Sequence, residues 1–332
     1  MPMFLPRLAQ VLAIFERDKG SPLSESEVLE IRDKAACIMM EQADAEILWE
    51  KDPFRDVDPN DCWADWHRVR AEVTGGVLPR VVLCTLGDRE FARRAREILQ
   101  DKKVEHKFSD HNVRMVESFR YGASSIEPAI TDTDFAAIEK HETVLYIISE
   151  PLQEKTTARI TYDTMRLGHA LLEAGGVAIK CESSGKAHSR AAWMKLADEA
   201  RESVLPHGNG STDFWPALFN AFVQLPIQSE KDYYSCGMHL LGRPDLIISI
   251  EDIQKLFPQE QNTAGTTYVL LATFALYLLI ECQHGQFRSG NTFSVDAKSP
   301  RLRGTWEPCL DYAESDFYYN PFGYWRLSPA LP

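Results

Sequence analysis

The chain has 332 residues, 44% of them hydrophobic, with 49 acidic against 36 basic side chains and a formal net charge of −13. That apolar content builds a core without staples and excludes a disordered chain, while the acidic balance disfavours phosphate backbones and favours basic protein partners. Seven cysteines, at 37, 62, 84, 181, 236, 282 and 309, are odd in number and form no C-x-x-C pair, which predicts free thiols in a reducing, cytoplasmic setting.

The first twenty residues lack a basic leader ahead of their apolar side chains. Phe4, Leu5, Leu8, Val11, Leu12 and Phe15 recur at helical spacing, predicting an amphipathic helix packed on the body. Ser24 followed by Glu27 has the form of a capping box and opens a helix through Ile31, Ala35, Ile38 and Met39. Asn60 or Asp61 is placed to cap another helix carrying Trp63, Trp66 and Val69, which Gly75-Gly76 ends. Residues 1–76 therefore read as a helical N-terminal region.

From Pro79 onward, short β-branched runs alternate with amphipathic helices: RVVLCTL, Arg89 to Gln100, TVLYIIS at 143–149, Thr156 to Ala174, VAIKC at 177–181, and Ser189 to Ser203. Helices of this length between strands predict crossover connections, and thus an α/β part at 77–210 with a sheet of parallel character. FNAFVQLPI (219–227) and KDYYSCGMHLLG (231–242) read as neighbouring antiparallel strands, and DLIISI runs into a short helix capped by Ser249. The uncharged eighteen residues from Thr263 to Ile280 reach the lower edge of membrane-spanning length, but four Thr and two Tyr make them a core helix and predict no membrane association. Strand-like pieces follow near 292–295, 304–308 and 323–327, completing an α+β C-terminal part at 211–332. The predicted class is α+β with α/β character: helical N-terminal region, central strand-helix layer, and a C-terminal mixed or antiparallel sheet with a buried apolar helix.

Between Glu41 and Asp65 lie nine acidic residues and two basic ones, about half of the net charge, interleaved with Trp49, Phe54 and Trp63. Charge steers an encounter and Trp anchors the resulting contact, so Asp52, Asp56, Asp58, Asp61, Trp63 and Asp65 form the predicted partner-binding set. The alternative is a solvated helix face with its Trp side chains turned inward.

Other motifs fail at residues their chemistry requires. Val177-Ala-Ile-Lys180 matches the lysine-bearing strand of protein kinases, yet no glycine-rich loop, H-R-D or D-F-G accompanies it. Ser184-Gly185-Lys186 lacks the remaining residues of a phosphate loop, with Lys180 and Ala187 where Gly and Ser or Thr belong. Asp56-Val-Asp58-Pro-Asn60 begins like a calcium loop but has Asp61 at the turn glycine and His67 at the bidentate glutamate. Cys62 with His67, or Cys181 with His188, supplies only half of a zinc site. Pro244-Asp245 with Asp296-Ala-Lys298 echoes metal-dependent nucleases across more than fifty residues, on a chain without a basic surface. Glu182, Ser184, Lys186, His188 and Ser189 share a loop after a strand, where acid, base and nucleophile are often placed. The structural reading has Gly175-Gly176 and Gly185 turning the chain and Ser184 or His188 capping the next helix. No metal, cofactor or catalytic residue is predicted.

Ser235-Cys-Gly-Met-His-Leu-Leu-Gly-Arg-Pro-Asp-Leu246, with Gly290-Asn-Thr-Phe and Gly168-His-Ala…Gly175-Gly-Val-Ala, resembles an uncharacterised bacterial domain family over about residues 140–330. The whole chain, including PLSESEVLEIRDKAACIMM and NDCWADWHRVR, is similar to large acidic immunity proteins of type VI secretion systems that neutralise nuclease effectors. That resemblance implies a cytoplasmic, non-enzymatic protein that binds a cognate basic toxin and no nucleic acid directly. The rival expectations are a small-molecule enzyme or ligand binder using the 182–189 loop, and an adaptor with no toxin.

Overall fold

The computed structural model describes residues 2–41, 44, 47, 54–100, 102, 104–204, 214–282 and 286–330. Eleven α-helices and three sheets among these residues make a mixed α+β protein.

In the N-terminal region, β1 (Pro2–Phe4) pairs antiparallel with β2 (Cys37–Met39), and three helices pack beside them: α1 (Leu8–Lys19), α2 (Glu25–Lys34) and α3 (Cys62–Thr74). The Ser24–Glu27 capping box forms, and Gly75 ends α3 in the left-handed conformation. Two expectations are corrected. The first helix starts at Leu8, after Pro6, and α2 stops at Lys34, so that Ile38 and Met39 lie on an exposed strand. Apolar spacing alone does not distinguish a helical turn from a short apolar strand. Phe4, Leu8, Leu12, Val28, Phe54, Val57, Trp66 and Val69 close this small core.

The central part alternates strand and helix as expected: β3 (Val82–Gly87), α4 (Arg89–Leu99), β4 (Glu105–Asp110), α5 (Met115–Tyr121), α6 (Asp132–Glu139), β5 (Thr143–Ile148), α7 (Thr157–Glu173), β6 (Ala178–Cys181), β7 (Ala187–Ser189) and α8 (Arg190–Val204). The predicted parallel character is corrected: in the order β4-β5-β3-β6-β7 every ladder is antiparallel. The crossovers do join strands running the same way, but each pair admits a third strand between its members. β5 lies between β3 and β4, and β3 lies between β5 and β6, the connectivity of a split β-α-β unit. Its apolar continuity comes from cover on both faces. Leu83, Leu145, Ile147 and Ile179 meet α4, α7 and α8, while Cys84, Leu86, Val144 and Ala178 meet α5 and α6.

In the C-terminal part, residues 219–222 belong to a helix, α9 (Trp215–Phe222), where a strand was expected. β8 (Gln224–Gln228), β9 (Asp232–Cys236), β10 (Asp245–Ser249), β11 (Thr292–Phe293), β12 (Leu302–Glu307) and β13 (Tyr324–Pro329) form a sheet in the order β11-β12-β13-β10-β9-β8, with β10 and β13 parallel. α10 (Ile250–Leu256) is capped by Ser249 as expected. The apolar helix α11 (Thr263–Leu276) continues into a π-helical turn at Tyr277–Glu281. It is long and apolar enough to cross a membrane, and is partly buried: Leu270, Leu271, Phe274 and Leu278 face the core, while Val269 is exposed. One apolar core runs from the five-stranded sheet through α9 to the six-stranded sheet.

Candidate functional site

The predicted acidic set is drawn largely into intramolecular bonds. Asp56 is buried, and its carboxylate accepts from the amides of Leu8 (3.0 Å) and Ala9 (2.9 Å), satisfying the first turn of α1. Asp65 is also buried, paired with Arg68 (2.6 Å) and Arg55 (3.0 Å) and accepting the Asp58 amide; Arg68 in turn reaches Glu154 (2.6 Å). Burial pushes the Asp65 carboxyl up, but Arg68 and Arg55 outweigh it and hold it below the usual carboxylate range. Asp58 accepts the Asn60 amide and pairs with Arg288 of the C-terminal part at 2.6 Å. Trp63 is half-buried, edge-on to His67 and Trp306. Burial, then Asp65 and Asp58, push the Asp61 carboxyl up to about 6. Asp52 lies outside the described residues. A steering surface needs solvent-facing charge, so Asp56 and Asp65 are corrected to structural carboxylates.

The 182–189 loop is consumed in the same way. Glu182 pairs with Lys180 (2.9 Å), and Ser183 bridges the Val82 amide and the Arg80 carbonyl. Lys186 Nζ donates to the Val223 carbonyl (2.7 Å) and the His188 ring meets the Ala221 carbonyl at Nε2 (2.9 Å), two cationic residue types at the C-terminal end of α9. Burial drives the Lys186 amine down to about 7 and the His188 ring down to about 3, and each meets a carbonyl at the end of the helix. Ser189, rather than Ser184 or His188, accepts from the Ala192 amide at the start of α8.

The remaining motifs also resolve. Asp245 is buried, accepting from Ser235 Oγ (2.7 Å), the Met238 amide and Asn320 Nδ2 (2.6 Å). Ser235, His239 and Asp245 have the composition of a hydrolase triad, but the serine bonds the aspartate directly and the His239 ring lies 3.8 Å from that carboxylate. Asp296 is exposed and folds onto the amides of Lys298 and Ser299. Among the described residues no three His, Cys, Asp or Glu side chains converge as metal ligands.

What the structure brings together instead is a cleft of about 560 Å³ where the two large sheets meet, of a size suited to a ligand or an inserted side chain. Arg114, just before α5, and Glu117, Ser118 and Tyr121 of α5 form one wall; Lys180, Ser184 and Gly185 form the floor; Gln224, Tyr234, Tyr312 and Tyr318 form the other wall. Gly122 lets α5 reach the floor, because a Cβ there would lie 2.0 Å from the Gly185 carbonyl oxygen. The rings of Tyr312 and Tyr318 are 5.7 Å apart. Lys180 Nζ donates to Ser118 Oγ (2.7 Å) as well as to Glu182 (2.9 Å).

Two polar atoms in the cleft stand out. Among the described residues, Gln224 Oε1 is buried without a hydrogen-bond partner, and Ser184 Oγ has only the Cys181 thiol, a weak one, beside it. Burial, then Cys236 and Asp311, raise the phenol of Tyr234; burial, then Tyr234, Cys236 and Asp311, raise that of Tyr312; burial, then Glu182, Cys236 and Asp316, raise that of Tyr318. The signal for this cleft in the sequence is Asp311-Tyr-Ala-Glu-Ser-Asp-Phe-Tyr-Tyr319, which alternates acid and aromatic as the 41–65 stretch does.

Comparison of the chain with family models, with curated proteins and with solved structures finds no match. Its function is therefore read from the residues of the cleft and its rim.

Proposed function

We propose that the chain is a non-enzymatic immunity protein that binds a cognate bacterial toxin, a basic nuclease effector of the type VI secretion kind, and blocks it. The observation that supports this reading most is the face around the tyrosine-lined cleft. Tyr121, 86% exposed, lines it, and Val113 and Leu310, 76% and 84% exposed, lie within two residues of lining positions. Large apolar side chains left in water beside Tyr and Arg are what protein interfaces are made of. Glu117, Asp311, Glu314 and Asp316 are exposed on the same segments, and the net charge of −13 favours a basic partner. The engagement of Lys186, His188, Glu182 and Asp245 in fold contacts supports a binding role over a catalytic one.

The test is co-expression with the product of the adjacent open reading frame, followed by co-purification and a nuclease assay. The expected result is a stable complex with the nuclease inhibited, and a loss of at least 100-fold in affinity for the double variant Tyr121→Ala, Leu310→Asp with its melting temperature preserved. An unbound neighbour, or turnover by the purified chain that disappears on Glu182→Ala or His188→Ala with folding intact, overturns the reading.

A further inference from the structure

The cleft has more definition than an interface needs. One wall carries three phenols and Gln224 Oε1, an acceptor without a donor among the described residues, the floor carries the Ser184 hydroxyl without a strong partner, and Asp311 and Asp316 are exposed on the segment that bears Tyr312 and Tyr318. A buried carboxamide oxygen left unpaired costs free energy that an incoming N–H donor recovers. Aromatic faces backed by carboxylates attract cations, and a planar guanidinium both stacks on such faces and presents five donors.

Two cations in the lining bear on the sign of the site. Lys180 is neutralised by Glu182 and held by Ser118, and Arg114 is exposed at the mouth, one turn from Glu117. Asp311, Glu314 and Asp316 are exposed on the segment that carries Tyr312 and Tyr318 on the opposite wall, so the aromatic side of the cleft is the negative one. We infer that the cleft is the seat of an arginine side chain presented by the basic partner, its guanidinium laid against the tyrosine wall of Tyr312 and Tyr318 and donating to Gln224 Oε1 and Ser184 Oγ. This rests on the binding reading above in naming a protein as the source of the side chain.

The guanidinium site is tested without the partner. N-acetyl-arginine N-methylamide is titrated into the whole protein and followed by calorimetry and by NMR of the tyrosine rings, beside the citrulline analogue, its neutral isostere. The expected result is saturable binding with a Kd of about 1 mM, the scale of a fragment of this size. The citrulline analogue should bind at least tenfold more weakly, and Gln224→Leu and Tyr312→Leu should each lose the arginine probe by tenfold or more with melting temperature unchanged. Should either variant fold poorly, line broadening confined to the Tyr312 and Tyr318 rings of the native protein is the second measurement. Equal binding of the two probes, or no saturable binding, overturns the site. Micromolar binding of agmatine overturns the protein source in favour of a small cation. Probe binding without capture of the adjacent gene product leaves the site standing and removes the toxin reading; capture without probe binding does the reverse.

Discussion

Asp58 Oδ2 and Arg288 Nη2 lie 2.6 Å apart although 230 residues separate them. With Arg70 reaching Glu314 (2.8 Å) and Trp63 edge-on to Trp306, this contact fastens the N-terminal helices to the C-terminal sheet. Asp58 and Trp63 of the acidic stretch therefore lie on a seam inside the molecule, while Asp56 and Asp65 bond within the N-terminal region. Arg288→Ala is expected to cost about 1 kcal/mol, because the arginine is 42% exposed and screened. Urea unfolding at two ionic strengths checks this: the loss should shrink as salt rises.

Asp65→Ala is expected to cost about 3–5 kcal/mol, since among the described residues it leaves the buried Arg68 guanidinium with Glu154 as its one carboxylate beside the Arg55 and Asp56 carbonyls. Denaturant melts measure the loss. Association with a basic partner, measured by stopped flow on the folded fraction, should be unchanged; a slower, salt-dependent association would return Asp65 to the interface.

Asp56→Ala removes the carboxylate that satisfies the Leu8 and Ala9 amides, at an expected cost of about 1–2 kcal/mol. Amide exchange should accelerate first in the opening turn of α1, while α8, capped independently by Ser189, keeps its protection.

Asp61 has a folded-state pKa pushed up to about 6 by burial and by Asp65 and Asp58, above the unfolded carboxylate value, so the native state binds the extra proton between about pH 4 and pH 6. Its contribution to stability is highest below that window and falls as pH rises through it. Asp61→Asn should abolish this dependence and stabilise the protein at pH 7 by about 1 kcal/mol, after allowance for solvent screening. Parallel unfolding curves at pH 4.5 and 7 are the check. A variant that is less stable than the parent at pH 7 contradicts it.

Lys186 has the opposite dependence. Its folded-state value of about 7 lies well below that of a free lysine, so between about pH 7 and pH 10 the unfolded chain holds a proton that the native one lacks, and stability rises with pH. Lys186→Met should lose that rise, along with about 1 kcal/mol for the bond to Val223. The stability difference between parent and variant at pH 7 and pH 9 isolates the titration from other groups.

Elements with strong local signals were legible in the sequence: the Ser24–Glu27 box, the Gly75 stop, the Ser249 cap, and the apolar runs that became β3, β5 and β6. Strand direction was not, because an apolar run reports cover on both faces, and which strand enters a crossover is decided by contacts far apart in sequence. β4 was missed since Glu105-His-Lys-Phe-Ser-Asp110 is an edge strand whose polar side chains face water. The tyrosine cleft was missed for a related reason: its walls come from residues 114–121, 180–185, 224–236 and 312–318. No local pattern shows that two acidic aromatic stretches have opposite fates, with Asp56 and Asp65 turned inward and Asp311 and Asp316 left in water.

The insertion of β3 between β5 and β6 has a cost during synthesis. Val82–Gly87 is fully buried, yet both of its neighbours lie downstream, at 143–148 and 178–181. At ribosomal rates of about 5–20 residues per second, this strand leaves the tunnel several seconds or more before its partners exist. A nascent chain stalled before residue 143 thus displays an unpaired apolar ribbon, the form most open to a holding chaperone or to pairing with a neighbouring copy.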